Sequence, residues 1–502
     1  MNPQIRKLGG VLLACYLALF VQLNLTQVAR APQLNERPDN TRAIERDVNR
    51  PRGDVVSADG QLLAHSVETD GRFRYQRNYP TGDLFAHVVG SYSFLFGADG
   101  VERRYNDALA GQTPSLRFGG FTDPFAGEPN VGNVHLTIDS RVQRVAADAL
   151  GQREGSVVAI DPRDGSILAL WSFPTYDPNL PSSNDSVVAR AFRQALAEQP
   201  GKPTLARSYR ERFFPGSTFK VVTAAAGLET GAVTETAPNY PVARGYQPPL
   251  TTRTISNFGG SSCGGTLLEI LAVSCNSAFA QMGAQTLGPD PMIDQATRIG
   301  FGDVPPIDLP GAASSVFPDD FGKRLRAGAN PGDADVYENT PGLAQAAIGQ
   351  GNVSSTPLQM ALVAAAVANN GVIMAPHVMR DIRDRTGSVD TSFTPSVWKT
   401  AISPTTASTL RRAMVGVVTA GTADRLAIPG QEVGGKTGTA QLGTTPPQSH
   451  AWIIGFAGPP GQPPTVAVAV IVEGQPGASE QTGGRVAAPI AKAVLEAALA
   501  PR

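Results

Sequence analysis

The spacing of hydrophobic and polar residues along this chain changes near residue 135. Beyond that point apolar residues occur at helical intervals in some segments and in short continuous runs in others, which is typical of amphipathic helices alternating with buried strands. The predicted elements are a strand at 134–138, a helix at 140–150, a hairpin of strands 156–160 and 167–171, a second hairpin of strands 451–456 and 465–472, and a closing helix at 486–499. Strands near both ends of this region flank long helical middle portions. We therefore predict an α+β fold in which an antiparallel sheet is covered by helices on both faces.

Residues 31–134 follow a different pattern. The segment from Arg52 to Ala64 alternates apolar and polar residues around an Asp59-Gly60 turn, which predicts a β-hairpin, and Gly97 to Tyr105 leads into a short helix. This region contains neither a nucleophile nor a metal-binding cluster of its own. We interpret it as a small β-rich N-terminal module, a spacer or pedestal, which precedes a catalytic domain at 135–502.

The first thirty residues predict a membrane anchor. Arg6 and Lys7 precede an apolar stretch from Leu8 to Leu25, which is long enough to cross a bilayer, and the basic flank favours a cytoplasmic N-terminus. The alternative is a signal peptide that is cleaved near Ala29-Arg30-Ala31. With a retained anchor, everything after Ala31 faces the outside of the cell membrane.

Composition excludes several functions. The chain has 502 residues, enough for two or more domains, and a formal net charge of −1 without long basic runs, so nucleic acid is not an expected partner. Its five histidines are scattered without metal-ligand spacing. We expect neither a metal nor another cofactor.

Three short motifs stand in one order along the chain and carry the candidate chemistry. They are Ser217-Thr-Phe-Lys220, Ser274-Cys-Asn276 and Lys436-Thr437-Gly438, and together they predict a serine acyl-transfer site. Pro215-Gly216 can begin a helix that continues to about Gly231, and on a helix residues i and i+3 share a face. The hydroxyl of Ser217 can therefore approach the amine of Lys220. The helix macrodipole disfavours an ammonium at that end, so Lys220 could act as a base.

Two other segments of the chain have the same residue spacing as the first two motifs. Ser396-Val-Trp-Lys399 also has the first spacing, and Ser182-Ser-Asn184 has the second. Ser396 is not followed by an apolar helix, and Ser182 precedes Ser217 in a polar loop. We interpret both as ordinary surface sequence.

Two further patterns point to other chemistry. Gly430 to Thr437 satisfies the phosphate-loop pattern, but a strand-like segment and a turn follow it where a phosphate-binding helix would be needed. Gly260 to Gly264 matches the nucleophile elbow of α/β-hydrolases, but the preceding segment is too polar for a central parallel strand. We disfavour both patterns as functional sites.

Cys263 and Cys275 are the two cysteines beyond the anchor, and Cys275 lies inside the second motif. Outside the cell membrane a disulfide between them can form, and it would restrain the loop before the catalytic helix. Two buried free thiols are the alternative.

In these motifs and in further segments the chain resembles a monofunctional class B penicillin-binding protein of the actinobacterial penicillin-binding protein A type. The further segments are Arg52-Gly53, Gly97 to Tyr105, Asp161-Pro162 with Gly165, Tyr176 to Asn179, and Gly349 to Val353 leading to Thr356 to Gln359. The resemblance covers nearly the whole length. It implies the penicillin-binding, β-lactamase-like fold and a D,D-transpeptidase that cross-links peptidoglycan stem peptides, releases D-alanine and is acylated by β-lactams. The cysteine pair is a departure, since many relatives lack it.

The residue chemistry assigns a role to each motif. Ser217 would attack the D-Ala-D-Ala carbonyl with Lys220 as base, and the backbone N–H groups of Ser217 and Thr439 would hold the oxyanion. Ser274 would relay a proton to the leaving D-alanine while Asn276 holds the donor peptide. Lys436 would supply positive charge near the terminal carboxylate, and the hydroxyls of Thr437 and Thr439, on either side of Gly438, would hydrogen-bond to it.

Other classes share these motifs. A serine β-lactamase would need a base for its deacylating water, and no Glu-x-x-x-Asn pattern follows Ser274. A penicillin-recognising sensor usually couples its outer domain to a cytoplasmic one, and only a short stub precedes the anchor here. Since no glycosyltransferase domain fits between Ala31 and His135, we expect a separate glycosyltransferase of the division or elongation machinery as partner.

Overall fold

The structure, a computed structural model, describes residues 3–30, 49–71, 73–119, 130–330, 332–475 and 481–501. Ala31, at the predicted cleavage site, and the rest of 31–48 lie outside the described residues. The chain begins with the helix Pro3–Asn24, which continues into a π-helical turn at Leu25–Ala29. The stretch Pro3–Gln27 is long and apolar enough to cross a membrane, and its apolar window packs against nothing else in the described structure.

A five-stranded antiparallel sheet forms the centre of the larger region. Its strands, in spatial order, are Glu432–Gln441, Ser449–Gly458, Val466–Val472, Gly155–Ile160 and Ile167–Phe173. The strands come from both ends of the region, as the two predicted hairpins required. The strand that carries Lys436 lies at the edge, as predicted, so one side of its backbone is free of strand pairing.

Helices cover both faces of this sheet. All ten residues of Ser449–Gly458 and all seven of Val466–Val472 are buried. Because successive side chains on a strand point to opposite faces, such complete burial requires cover on both sides. Ser140–Leu150 and Ala488–Leu499 pack on each other and on the sheet, and the wholly buried Pro357–Ala368 packs on three of its strands. The predicted fold class is confirmed.

A second, six-stranded sheet joins the N-terminal module to the larger region. Its order is Val389–Ser392, Met379–Arg383, Asn133–Leu136, Val55–Val56, Leu62–Glu68 and Tyr75–Asn78. The strand predicted at 134–138 is therefore Asn133–Leu136, and it pairs with Met379–Arg383 on one side and with Val55–Val56 on the other. The predicted hairpin around Asp59-Gly60 is the antiparallel pair formed by Val55–Val56 and Leu62–Glu68.

A buried ion cluster holds the N-terminal module together. Glu102, at 0% exposure, accepts a hydrogen bond of 2.6 Å from Arg52 Nε through one carboxylate oxygen and another of 2.6 Å from Arg77 Nε through the other. These three residues lie far apart in sequence, so the cluster fixes the relative positions of three segments. The two neighbouring cations lower the pKa of Glu102 against the opposing effect of its burial.

The Ser182-Asn184 segment also serves this module. Ser182 is buried and its hydroxyl accepts a hydrogen bond from the backbone N–H of Tyr92, while Asn184 Nδ2 donates to the carbonyl of Tyr75. The interpretation of this segment as plain surface sequence was wrong for Ser182. Ser182 and Asn184 have the same spacing as Ser274 and Asn276 by coincidence, because their polar groups form hydrogen bonds with the N-terminal module.

The remaining α-helices of the described chain lie in the module and between the sheet strands. They are Ala86–Val89, Gly100–Arg104, Asn106–Leu109, Pro114–Gly119, Ser186–Glu198, Arg207–Arg210, Lys220–Glu229, Leu267–Ala272, Asn276–Gln281, Pro289–Arg298, Thr340–Ala346 and Pro404–Ala420. Short strand pairs are Tyr92–Ser93 with Gly97–Ala98, Tyr240–Ala243 with Cys263–Gly265, Gly245–Tyr246 with Ile255–Ser256, Arg324–Arg326 with Val336–Tyr337, and Val372–Met374 with Val397–Thr400.

Candidate active site

Ser217 lies on a tight turn at the start of a buried helix. The turn is a 3₁₀-helix, Gly216–Phe219, which continues into the α-helix Lys220–Glu229. Gly216 has a φ of 53°, and a Cβ atom on it would lie 2.9 Å from the carbonyl oxygen of Thr439. Glycine is needed here because the turn approaches the edge strand so closely. Ser217 is thereby placed on the surface of a cleft of about 820 Å³.

Lys220 lies beneath this surface and is fully buried. Its Nζ donates hydrogen bonds to the carbonyl of Ser274 at 2.6 Å, to Asn276 Oδ1 at 2.6 Å, and more weakly to Ser274 Oγ at 3.3 Å. Burial, and secondly the nearby charge of Lys436, hold the pKa of Lys220 well below its usual value. The first motif thus contacts the second directly through Lys220, and the lowered pKa of this amine favours its neutral form.

Ser274 has an unusual backbone conformation. Its φ is 59°, in the left-handed region that non-glycine residues rarely adopt. In this conformation both its carbonyl oxygen and its hydroxyl accept hydrogen bonds from Lys220. Strain of this kind, which costs about 1–3 kcal/mol, persists where the surrounding structure imposes it. Asn276 follows at the start of the helix Asn276–Gln281, and its Nδ2 donates to the carbonyl of Ser256 across the cleft wall.

Lys436 joins the third motif to the second. It is fully buried on the edge strand, and its Nζ donates to Ser274 Oγ at 2.7 Å and to the carbonyl of Thr437 at 2.9 Å. Burial lowers its pKa to about 7. The amine lies under the floor of the cleft, and Lys436 does not contribute to the cleft surface.

The edge strand presents its backbone to the nucleophile turn. The carbonyl oxygen of Thr439 faces Gly216, and because the N–H and C=O of one strand residue point to the same side, its N–H faces that edge too. Thr437, Gly438 and Thr439 all line the cleft beside Ser217. The hydroxyl of Thr437 also forms a hydrogen bond of 2.7 Å with that of Thr422. All eight predicted motif residues are therefore gathered at one place, six of them on the cleft surface and the two lysines beneath it.

Several cleft residues were missed by the sequence analysis. One end of the cleft contains two arginines and an aspartate from segments far apart in the sequence, and apolar side chains also contribute to the cleft lining. The cationic end is lined by Thr422, Asp424, Arg425, Gly483, Gly484 and Arg485, and the apolar contribution comes from Ile255, Phe258 and Val273. These residues belong to no short motif. The local sequence feature that could have indicated this end of the cleft is the Gly483-Gly484 pair before Arg485.

Cys263 and Cys275 are joined by a disulfide bond, with their Cα atoms 5.8 Å apart. The bond connects the short strand Cys263–Gly265 to the segment that carries Ser274 and Asn276. Cys263 itself lines the cleft. One wall of the cleft is thus tied covalently to the second motif.

The competing patterns lie in unsuitable structures. Gly430 to Thr437 runs into the continuous strand Glu432–Gln441, which has no helix N-terminus to hold a phosphate. Gly260 to Gly264 leads into the short strand Cys263–Gly265, whereas in an elbow a helix follows the serine. Lys399 is paired with Asp303 at 2.5 Å on the strand Val397–Thr400. Within the described ranges, no cluster of three or more His, Cys, Asp or Glu side chains could hold a metal ion.

A serine on a helix-initiating turn, a buried amine with a lowered pKa and a free sheet edge define the class of serine acyl-transfer enzymes. Comparison with known proteins gives the family. A family model described as the penicillin-binding protein transpeptidase domain matches residues 155–496, and one described as the penicillin-binding protein A dimerisation domain matches residues 52–134. The chain belongs to the penicillin-binding proteins, in the class B group that contains penicillin-binding protein A.

The similarity to individual relatives extends over almost the whole chain. The peptidoglycan D,D-transpeptidase PbpA of Mycolicibacterium smegmatis is 38% identical, with 99% of each chain covered, and the protein of the same name from Mycobacterium tuberculosis is also 38% identical at the same coverage. Among solved structures, penicillin-binding protein A from M. tuberculosis as an imipenem acyl-enzyme complex matches with a TM-score of 0.79 and 37% identity, over 90% of this chain and 99% of that one. A ceftriaxone acyl-enzyme complex of the same protein matches with a TM-score of 0.80 and 37% identity, over 91% and 100%.

Proposed function

We propose that this protein is a peptidoglycan D,D-transpeptidase that acts through an acyl-enzyme on Ser217 and is inhibited covalently by β-lactams. The observation that carries the assignment is the position of Ser217 on an open cleft, three residues before the buried Lys220, whose amine has no carboxylate among its hydrogen-bond partners. A buried amine without a counter-charge favours its neutral form. Kinship with enzymes named peptidoglycan D,D-transpeptidases supports the substrate class.

The first half-reaction is acylation. Ser217 Oγ attacks the carbonyl carbon between the last two residues of the donor stem peptide, and its proton passes to the neutral Nζ of Lys220. The oxyanion of the tetrahedral intermediate is held by the backbone N–H groups of Ser217 and Thr439. The C–N bond then breaks and D-alanine leaves.

The leaving amine needs a proton, which Ser274 delivers in this scheme. Its hydroxyl accepts hydrogen bonds from both Lys220 and Lys436, so a proton taken by Lys220 can pass through Ser274 to the departing nitrogen. The acyl-enzyme is released when an amine of a second stem peptide attacks the same carbon and gives up its proton along the reverse route.

The donor peptide lies along the free edge of the strand Glu432–Gln441. Thr437, Gly438 and Thr439 line the cleft there, and a peptide added at a sheet edge is held by backbone hydrogen bonds. The side-chain amide of Asn276 contacts the peptide on the opposite side.

In this proposal the other segments of the chain hold the catalytic domain at the outer side of the membrane. Residues 1–30 form a cytoplasmic stub and a single transmembrane anchor, residues 31–134 form the pedestal or dimerisation-like module, and residues 135–502 form the extracytoplasmic transpeptidase domain. Because this scheme leaves glycan polymerisation to another enzyme, a membrane glycosyltransferase of the division or elongation machinery is the partner. Protease accessibility of the catalytic domain in intact spheroplasts tests this topology, and protection of the domain would contradict it.

Labelling with a fluorescent penicillin tests the catalytic assignment. Wild-type protein should give an adduct that persists, and Ser217→Ala should give none. Ser396→Ala is the matched control, because Ser396 has the same spacing to a lysine at a site away from the cleft. Labelling of Ser217→Ala would contradict the role of Ser217. Rapid loss of the wild-type label would favour the β-lactamase alternative.

A further inference from the structure

The cationic end of the cleft contains an arginine that the mechanism above does not use. Arg485 is exposed and lines the same cleft as Ser217, Thr437 and Thr439. No described residue forms an ion pair or a side-chain hydrogen bond with its guanidinium. A free, permanently charged group beside a substrate cleft can bind an anionic group of the substrate.

The position of Arg485 is fixed by the two glycines before it. A Cβ atom on Gly483 would lie 1.9 Å from the carbonyl oxygen of Trp452 and 2.7 Å from that of Gly438. A Cβ atom on Gly484 would lie 2.4 Å from the carbonyl oxygen of Thr422 and 3.6 Å from the Thr437 methyl group. Gly483 therefore packs directly on the backbone of Gly438, and Gly484 packs on the backbone of Thr422 beside Thr437. Arg485 follows at once, and its backbone N–H donates to the carbonyl of Thr482.

Lys436, the other cationic side chain near the cationic end of the cleft, already has hydrogen-bond partners within the protein. It is fully buried, and its amine donates to Ser274 Oγ and to the carbonyl of Thr437. A carboxylate lying in the cleft would have to reach below the floor to contact it. With a pKa of about 7, the amine is also neutral in a large fraction of molecules at neutral pH.

We propose that Arg485 binds the terminal carboxylate of the D-Ala-D-Ala donor, and the equivalent carboxylate of β-lactams, while Lys436 acts on Ser274 from beneath. This inference rests on the proposed function. It assigns the charge recognition of the donor to a residue outside the three motifs. Thr437 and Thr439 then orient the carboxylate, and Arg485 supplies the positive charge.

Arg425 is the nearest competitor and serves as the control. It lines the same end of the cleft and is also exposed, but Asp424, its neighbour in sequence, lines the cleft beside it and offsets its charge. Arg485 lies between Gly484 and Val486, so neither adjacent residue is charged. The two arginines can therefore be distinguished by substitution.

The test compares benzylpenicillin, which carries a carboxylate, with its uncharged methyl ester. The rate constant for acylation of the full-length protein in detergent is measured by intact-protein mass spectrometry for both compounds. For Arg485→Gln we expect acylation by benzylpenicillin to fall about tenfold or more and acylation by the ester to remain unchanged, because only one compound loses a charge-assisted hydrogen bond. Arg485→Lys should restore part of the loss, and Arg425→Gln should change the ratio of the two rates little.

The pH dependence separates Arg485 from Lys436. If Arg485 supplies the charge, the preference of the wild-type protein for the acid over the ester is the same on either side of pH 7. If Lys436 supplied it, the preference would fall as pH rises through about 7, where that amine loses its proton. A preference that falls in this way would overturn the proposal, as would an equal loss for both compounds in Arg485→Gln or a selective loss in Arg425→Gln. Failure of the proposed function is a separate outcome, since the wild-type protein would then not be acylated at all.

Discussion

The amine of Lys436 donates a hydrogen bond of 2.7 Å to the hydroxyl of Ser274, which also accepts a longer bond of 3.3 Å from Lys220. Two buried amines thus share one hydroxyl, and no carboxylate is among the hydrogen-bond partners of either. Two ammonium groups in such a place would repel each other, so protonation of one disfavours protonation of the other. The two lysines therefore affect one another through their charges, with Ser274 hydrogen-bonded to both.

The pH profile of acylation should report this coupling. The charge of Lys436 contributes to the lowered pKa of Lys220, so Lys436→Met should raise the pKa of Lys220 and move the acidic limb of the profile to higher pH. The measurement is the rate of acylation by a fluorescent penicillin across the pH range, on wild type and variant. A limb that stays in place or moves to lower pH would show that the two amines are not coupled.

The same substitution should stabilise the fold in a pH-dependent way. The folded-state pKa of Lys436 is about 7, below that of a lysine in the unfolded chain, so between these values the unfolded state binds one more proton and stability rises with pH. The cost of burying Lys436 is therefore complete below about pH 7 and disappears as pH approaches the unfolded value. At acidic pH we expect Lys436→Met to raise the free energy of unfolding by about a few kcal/mol, the free energy that corresponds to the lowered pKa of Lys436. At alkaline pH the substitution should change this free energy little.

Chemical denaturation at several pH values measures this effect. Lys323→Met is the control, because Lys323 is exposed and its removal should change stability little at any pH. A gain for Lys436→Met that is constant with pH would indicate improved packing and not relief of a buried charge.

Gly349 should be needed to position the nucleophile. A Cβ atom on Gly349 would lie 2.1 Å from the carbonyl oxygen of Gly216. The backbone N–H of Gly216 in turn donates a hydrogen bond to the carbonyl of Gly349. Gly349→Ala should displace the Ser217 turn and lower acylation by roughly tenfold or more, since misplacement by about 1 Å can cost that much. The measurement is the acylation rate of protein whose fold is verified by circular dichroism.

Gly351→Ala is the matched control for this experiment. Gly351 has nearly the same φ as Gly349, 69° against 71°, but a Cβ atom there would meet only the Gln345 side chain at an ordinary 3.5 Å. In both variants alanine must adopt nearly the same unfavourable φ, but only Gly349→Ala clashes with the turn that carries Ser217. Equal losses in the two variants would contradict the proposed positioning role.

The ion cluster of the N-terminal module should dominate its stability. Glu102→Gln leaves the guanidinium groups of Arg52 and Arg77 buried beside a neutral amide, which should lower the free energy of unfolding by about 3–5 kcal/mol. Glu68→Gln removes the acidic partner of an exposed ion pair with Arg74, and should cost less than about 1 kcal/mol. Urea denaturation measures both variants, and similar small effects would mean that the cluster contributes little.

Much of the fold could be predicted because the apolar runs are unambiguous. The hairpin strands near both ends of the larger region are continuous apolar runs that are buried along their whole length, and the helix Ser140–Leu150 has one buried face at helical spacing. The pairing of strands in the second sheet could not be predicted, because Val55–Val56 is too short to show a period and its parallel partner, Asn133–Leu136, is far away in sequence. Likewise, nothing local revealed that Ser182 is buried against Tyr92.

The sequence by itself determined which side chains are the candidates for the chemistry, because a hydroxyl and an amine three residues apart at a helix start lie on one face of that helix whatever surrounds it. It also determined that a strand bearing Lys436 would belong to an apolar sheet. Only the tertiary structure decided the partners of the two amines, since hydrogen bonds and burial depend on segments separated by more than fifty residues. The same holds for Arg485, which reaches the cleft because two glycines allow its segment to lie on the backbone of a distant strand.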